Sequence, residues 1–286
     1  MKIHRHLLKK LAISGLLGCA ALLWIVSGGK GEQGQPGNGA PSQRVPERQC
    51  PCGIGEPGVM GTGAALALTK VQQQMLQDYR QVEVASISDA EEELYGRRMY
   101  MSHQMRPVFR TKFVGYAVTV LLKKQENHQG SAALSGMLAA IDHGGPNDVY
   151  VMKVEDGLDI AGMGGIMGTA MAARGFVGAV IDGGARDTAY LQRIQFPVYA
   201  KGIVPSTSVN HFVFGGSNIQ IDCDGVPVSA GDIIAADNDG VVVVPHANEE
   251  EVLKRAQQLD FTEHSMYPFI FKYKSVEEAI KKFGRI

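Results

Sequence analysis

The stretch GGIMGTAMAARGFVGAVIDGGARDTAYLQRI, residues 164–194, decides the fold. It begins as a short helix rich in small residues, continues as an apolar strand and ends in a second helix. Strands that alternate with helices indicate α/β layers around a sheet with parallel strands. We predict that the strand GAVI delivers Asp182, Gly183 and Gly184 to its carboxyl end, where α/β proteins bind ligands.

The flanking sequence extends this pattern. The stretches KVQQQMLQDYRQV and SISDAEEELYG predict two helices, the second capped by Ser88 or Asp89 and ended by Gly96. A strand (FVGYAVTVLL) and a helix followed by a strand (SAALSGMLAAIDHGGPNDVYVMKV) come next. After residue 215 short β runs are separated by turns, and EEEVLKRAQQLDF and SVEEAIKKF predict two final helices. We therefore expect one α/β domain, residues 64–286, with a mixed β-sheet flanked by helices.

Composition argues against one class of function. The net charge is -1, with 28 basic and 29 acidic residues, which gives no electrostatic signature of nucleic-acid binding. A nucleic-acid-binding surface needs a concentrated basic patch. We therefore expect no nucleic-acid partner.

The first 63 residues differ from the rest. A basic start, MKIHRHLLKK, precedes an uncharged apolar run, so residues 1–27 predict a signal peptide or a membrane anchor, with both alternatives open. The apolar residues after Cys19 argue against lipidation there. Residues 28–63 predict a flexible Gly/Pro-rich linker, in which Cys50 and Cys52 lack the further ligands that zinc needs. We expect an exported protein, periplasmic or anchored to the inner membrane.

Charged side chains follow the strand GAVI closely. An aspartate such as Asp187 can bind a hard divalent cation, and Arg186 offers paired donors to a carboxylate. Upstream, a helix start exposes the backbone N–H groups of Gly164, Gly165, Ile166 and Met167, which suits an anion. The alternative is a helix cap with a local salt bridge.

These residues also carry a resemblance. Residues 164–206, continued by VPVSAGDIIAADNDGVVVVP, resemble the RraA-like family over roughly residues 79–245. That family includes 4-hydroxy-4-methyl-2-oxoglutarate aldolases, oxaloacetate decarboxylases, a regulator of ribonuclease E activity and sequences once named dimethylmenaquinone methyltransferases. The resemblance implies a ββα swivelling-type fold and a ring-shaped homotrimer, or a hexamer made of two such rings.

The resemblance also implies roles for the residues. Asp187 would bind Mg²⁺, or another divalent cation such as Mn²⁺, while Arg186 would bind the pyruvyl part of a substrate whose carboxylate lies at the helix start. Many members carry an acidic residue where this chain has Gly165. In some aldolases a C-terminal glutamate of a neighbouring subunit contributes, and Glu263 is the candidate here. Asp182 would fix the glycine turn or support the metal site from behind.

Two functional hypotheses result. The first is a metal-dependent lyase that cleaves a 2-oxo acid, such as 4-hydroxy-4-methyl-2-oxoglutarate or oxaloacetate, through a pyruvate enolate. The alternative is a non-catalytic binding or regulatory protein tethered to the membrane. Neither hypothesis assigns a role to Asp237 and Asp239, because Asn-Asp-Gly between two β runs predicts a hairpin turn there. We expect His211 to be structural or to line the mouth of the site.

Overall fold

The computed structural model describes residues 68–284. The predicted signal or anchor segment (1–27), the predicted linker (28–63) and the cysteines within them lie outside these residues. Within 68–284, no helix is both long enough and apolar enough to cross a membrane.

A mixed sheet forms the centre of the described region. Its strands are β1 (Arg106–Pro107), β2 (Phe113–Lys124), β3 (Asp148–Val154), β4 (Ala161–Met163), β5 (Gly178–Ala185), β6 (Val198–Ile203), β7 (Phe212–Ser217), β10 (Ile233–Ala236) and β11 (Val241–Val244). A separate hairpin consists of β8 (Ile221–Cys223) and β9 (Val226–Val228). The helices are α1 (Lys70–Gln81), α2 (Val84–Tyr95), α3 (Ser135–His143), α4 (Gly165–Arg174), α5 (Thr188–Arg193), α6 (Glu249–Tyr273) and α7 (Val276–Phe283).

The sheet has the order β1-β6-β5-β3-β2-β10-β11, with β4 beside β5 and β7 beside β2. The pairs β2–β3, β3–β5, β4–β5 and β5–β6 are parallel, whereas β1, β7, β10 and β11 pair antiparallel. The mixed α/β architecture expected from the sequence is therefore confirmed. The parallel strands end at one edge, where α4 and α5 begin.

Side chains that alternate along the strands supply cores on both faces of the sheet. On β3, Tyr150 and Met152 pack among residues of α3 and α4, whereas Val149 and Val151 pack towards the β8–β9 hairpin. A third cluster lies between β10, β11 and helices α1, α2 and α6. Cys223 is buried in the core at the end of β8, which agrees with its predicted role as a strand residue.

Two helix boundaries differ from the sequence-based expectation. Helix α2 begins at Val84, before Ser88 and Asp89, because the Asp237 carboxylate accepts a hydrogen bond from its first backbone N–H. Its end at Gly96, with φ 61°, is as predicted. Helix α6 does not stop near residue 261 but continues to Tyr273 with Pro268 inside it.

Candidate functional site

The parallel pairing of β4 and β5 brings two distant parts of the sequence together. The two strands end side by side, and the backbone N–H of Arg186 donates to the carbonyl oxygen of Met163 at 3.0 Å. Gly164 caps α4 and Asp187 caps α5, so both helices begin at this point. The structure thus places the predicted helix start and the predicted Arg-Asp pair in one location.

The Arg-Asp pair is held by few but specific contacts. Asp187 Oδ2 accepts a hydrogen bond from the backbone N–H of Gly165 at 2.8 Å and lies 3.7 Å from Arg186 Nε. Arg186 Nη1 donates to the carbonyl oxygen of Ser206 at 3.1 Å. The side chains of Arg186 and Asp187 are 41% and 50% exposed, so both can meet a ligand from solvent.

Two hollows meet at Asp187. We call the first the inner cavity; its volume is about 230 Å³, and Arg186, Asp187, Ser208 and the start of α4 line it. We call the second the outer groove; it measures about 710 Å³ and lies between α4 and α5, with Asp187, Thr169, Tyr190 and Arg193 among its lining residues. Asp187 therefore forms a wall shared by the inner cavity and the outer groove.

The start of α4 offers donors to the inner cavity. The N–H groups in the first turn of a helix have no partner within the helix, and here Ile166 and Met167 line the cavity. The N–H of Gly165, also in the first turn, is already hydrogen-bonded to Asp187 Oδ2. Position 165 thus supplies a backbone donor and no carboxylate. The partial positive charge of the helix start suits a substrate carboxylate.

Gly164 is required by close packing. Its φ of -155° is available to any residue, but an added Cβ would lie 2.7 Å from Asp187 Oδ2 and 2.9 Å from Arg186 Cγ. Only a residue without a side chain lets the Arg-Asp pair lie directly over the helix start.

The donor set fits a metal ion that retains water ligands. Among residues 68–284, no group of three or more His, Cys, Asp or Glu side chains could hold a metal. Asp187 Oδ2 accepts the Gly165 N–H, and within the same residues Oδ1 has no hydrogen-bond partner. Mg²⁺ usually keeps several waters and is held by one or two carboxylates together with substrate oxygens. Asp187 alone, half-exposed beside the cavity, suits such an ion.

The prediction that Asp182 fixes a glycine turn is wrong, because Asp182 lies inside β5 with its side chain only 3% exposed. Its support of the metal site from behind stays a prediction. Lys153 Nζ lies 2.6 Å from Asp182 Oδ2, and Lys201 Nζ lies 3.1 Å from Oδ1. The backbone N–H of Asp224 also donates to Oδ2 at 2.9 Å. Asp182 therefore links β3, β5, β6 and the β8–β9 hairpin.

The lysines of this network were not found from the sequence. Lys201 also pairs with Asp224 at 2.8 Å. Burial lowers the pKa of Lys201, but its hydrogen bonds to Asp224 and Asp182 outweigh that effect and leave the pKa raised. Burial likewise raises the pKa of Asp224, whereas hydrogen bonds from Lys201 and Ser102 lower it overall. Both groups are thus charged at neutral pH.

The remaining candidates lie elsewhere. His211 pairs with Glu126 at 3.0 Å and lines a separate cavity of about 660 Å³ beside Asp182, not the inner cavity. Glu263 accepts the hydroxyl hydrogen bond of Tyr267 on α6 and lines neither the inner cavity nor the outer groove. Its contribution to a neighbouring subunit stays a prediction.

The hairpin prediction for residues 237–240 is confirmed. Strands β10 and β11 pair antiparallel on either side of it. The backbones of Asp237 and Gly240 exchange hydrogen bonds of 3.1 and 3.2 Å, and the Asp237 carboxylate accepts the N–H of Asp239. Asp237 therefore stabilises the turn through its side chain, and Asp239 lies within that turn.

These features define an α/β domain of the RraA type: the sheet is mixed and curled, and its parallel strands end beside the Gly164-Gly165 start of α4 and the Arg-Asp pair. The chain belongs to the RraA-like family: the model of that family, described as Aldolase/RraA, matches residues 84–243.

Relatives and solved structures agree with this assignment. A protein of Halalkalibacterium halodurans named "Putative 4-hydroxy-4-methyl-2-oxoglutarate aldolase" is 28% identical over 192 residues, 67% of this chain and 86% of the relative. An uncharacterised protein from Pseudomonas syringae pv. tomato superposes with a TM-score of 0.67 at 27% identity, covering 75% of this chain and 96% of the other. An "unusual member of the RNase ES inhibitor RraA protein family" from Streptomyces coelicolor has a TM-score of 0.59 at 22% identity, over 70% of this chain and 96% of the other, and supports the fold alone.

Proposed function

We propose that this protein is a divalent-metal-dependent carbon–carbon lyase that cleaves a small 2-oxo acid. The observation that carries the proposal is the convergence of Arg186, Asp187 and the start of α4 on the inner cavity. The relative named as an aldolase, although only 28% identical, supports the same reaction class.

In the proposed reaction the chain orients the substrate and stabilises negative charge. The N–H groups of Ile166 and Met167 bind the substrate carboxylate, and the Arg186 guanidinium lies beside the 2-oxo group. When the C3–C4 bond breaks, its electron pair forms the enolate of pyruvate, whose charge the fixed guanidinium stabilises. A divalent cation held by Asp187 would supply Lewis-acid polarisation of the 2-oxo group.

The two candidate substrates differ in whether a proton must be removed when the C3–C4 bond breaks. Aldol cleavage of 4-hydroxy-4-methyl-2-oxoglutarate requires the C4 hydroxyl to lose its proton, and Gly165 supplies no carboxylate to accept it. Decarboxylation of oxaloacetate requires no such acceptor, because the C4 carboxylate leaves as CO₂ while its bonding electrons form the enolate. Oxaloacetate is therefore the substrate to test first.

The test uses the full chain after removal of metal with a chelator. Adding Mg²⁺ or Mn²⁺ should restore oxaloacetate decarboxylation well above the rate with the same metal and no protein, and Asp187→Ala should match that protein-free rate. Wild-type and Asp187→Ala rates that both equal the metal-only rate, with oxaloacetate and with 4-hydroxy-4-methyl-2-oxoglutarate, would reject the lyase.

Location and assembly belong to the proposal as well. We propose that residues 1–27 export the domain, so that it is periplasmic or attached to the inner membrane, and that it forms a homotrimer or hexamer. A contact with another subunit would bury apolar side chains such as those of Ile203 and Leu158, whose exposed fractions are 63% and 57%. An alkaline phosphatase fusion after Gly63 should be active, and light scattering should give the mass of a trimer or hexamer. A cytoplasmic fusion or a monomer would contradict these two points respectively.

A further inference from the structure

The outer groove contains a cation that the proposed reaction has not used. Arg193, at the end of α5, is exposed, and among residues 68–284 no carboxylate lies within salt-bridge distance of it. Its guanidinium lies over the ring of Tyr190, 5.0 Å from the centroid. The hydroxyl of Tyr190 in turn hydrogen-bonds the Thr169 hydroxyl at 2.9 Å. An unpaired guanidinium is thus held over an aromatic ring that is itself fixed to α4.

The positions of these residues relate Arg193 to Asp187. Asp187, at the N-cap of α5, is followed by Tyr190 and Arg193 at intervals of three residues, and all three line the outer groove. The Cα atoms of residues six apart lie about 9 Å from each other along a helix axis. Helical side chains tilt towards the amino end of the helix. The guanidinium of Arg193 therefore extends along the groove towards Asp187.

We propose that Arg193 binds the second carboxylate of a dicarboxylic 2-oxo acid. Resting on the proposed function, this inference places the 2-oxo acid end of the substrate at Arg186 in the inner cavity and the distal carboxylate in the outer groove. Asp187, which both hollows share, lies between the two ends. A guanidinium offers a carboxylate paired donors, and the ring of Tyr190 limits the conformations that the side chain must lose on binding.

The inference predicts a preference between substrate classes. Dicarboxylic 2-oxo acids such as oxaloacetate use both arginines, whereas a monocarboxylic acid such as pyruvate reaches Arg186 alone. Loss of Arg193 should weaken the first class and leave the second unchanged. If the contact between Arg193 and Tyr190 only stabilised the surface, loss of Arg193 would affect both substrate classes equally.

The experiment compares Arg193→Gln and Arg193→Lys with the matched control Arg110→Gln. Arg110 is also an exposed arginine, but it precedes the amino end of β2 and lines neither hollow. With oxaloacetate, Arg193→Gln should raise KM at least tenfold without lowering kcat, because the C4 carboxylate loses its charge as it leaves, while the inhibition constant of pyruvate stays within twofold of wild type. In Arg193→Lys the KM should lie between those of Arg193→Gln and the wild type, and Arg110→Gln should behave as wild type.

Two results would overturn the inference: an unchanged KM for oxaloacetate in Arg193→Gln, or an inhibition constant for pyruvate that rises as much as the KM. If the wild-type protein turns over no substrate, calorimetric titration of the Mg²⁺-loaded chain with 2-oxoglutarate and with pyruvate decides the matter. Weaker binding of 2-oxoglutarate alone by Arg193→Gln upholds this inference and rejects only the lyase reaction. Equal binding by the variant and the wild type rejects the role of Arg193.

Discussion

Replacing Gly164 with alanine should damage activity far more than stability. An added Cβ would lie 2.7 Å from Asp187 Oδ2. To reach an ordinary contact of 3.4 Å, the carboxylate must move by about 0.7 Å (3.4 minus 2.7), and Arg186, whose Nε would be 3.0 Å away, must move too. Both side chains are about half exposed, so they can move into solvent at little cost in folding free energy.

A displacement of this size has a calculable effect on the reaction. Misplacing reacting groups by ~1 Å costs on the order of 100-fold in rate. We therefore expect Gly164→Ala to lower kcat/KM by roughly 30-fold to 100-fold, about 2 to 3 kcal/mol in transition-state free energy. The free energy of unfolding should change by only about 1 kcal/mol, because the hydrogen bond from the Gly165 N–H to Asp187 Oδ2 is the one interaction that the shift weakens.

The assay measures kcat/KM for oxaloacetate with saturating Mg²⁺ and the thermal unfolding of the same samples. Gly165→Ala is the matched control: its added Cβ would lie 3.4 Å from Asp187 Oδ2, an ordinary contact, and 3.2 Å from Tyr190 Cδ1. It should retain activity within about threefold, since a shift of a few tenths of an ångström in Tyr190 leaves the pair in place. Full activity of Gly164→Ala, or an equal loss in the two variants, would refute the assignment of the site to the Arg-Asp pair over the start of α4.

Two further predictions concern charged groups. Arg186→Lys keeps the charge but loses the paired donors, so kcat/KM should fall at least tenfold; a value near wild type would contradict the role of Arg186. Asp182→Ala leaves Lys153 without its carboxylate and Lys201 with Asp224 alone. Denaturant unfolding should show that the free energy of unfolding falls by about 3 kcal/mol. This is the low end of the cost of breaking a buried ion pair, because Lys153 is 30% exposed. The exposed Asp142→Ala is its control, and equal stabilities of the two variants would contradict a structural role for Asp182.

The general layout of the candidate site could be predicted from the sequence because parallel strands end at one edge of a sheet. That rule alone places the helix start at Gly164 near Arg186 and Asp187, although more than 20 residues separate them. The end of α2 at Gly96 and the hairpin at residues 237–240 could also be predicted, since their conformations are set by the local sequence.

Features that depend on distant contacts could not be predicted. Asp182 followed by two glycines is typical of a turn, yet β4 pairs with Gly184 and extends the strand through it. The partners Lys153 and Lys201 lie on other strands, and no local pattern relates them to Asp182. Helix α2 begins early because the carboxylate of Asp237, 153 residues away, hydrogen-bonds its first N–H.

A calorimetric Mg²⁺ titration and an oxaloacetate assay, both performed on wild type and Asp187→Ala, show directly whether Asp187 holds a catalytic metal. The variant should lose both Mg²⁺ binding and metal-dependent turnover, while its unfolding midpoint stays close to that of the wild type because Asp187 is half exposed. Unchanged Mg²⁺ affinity in Asp187→Ala, or unchanged turnover, would contradict the claim that Asp187 holds the metal of a lyase.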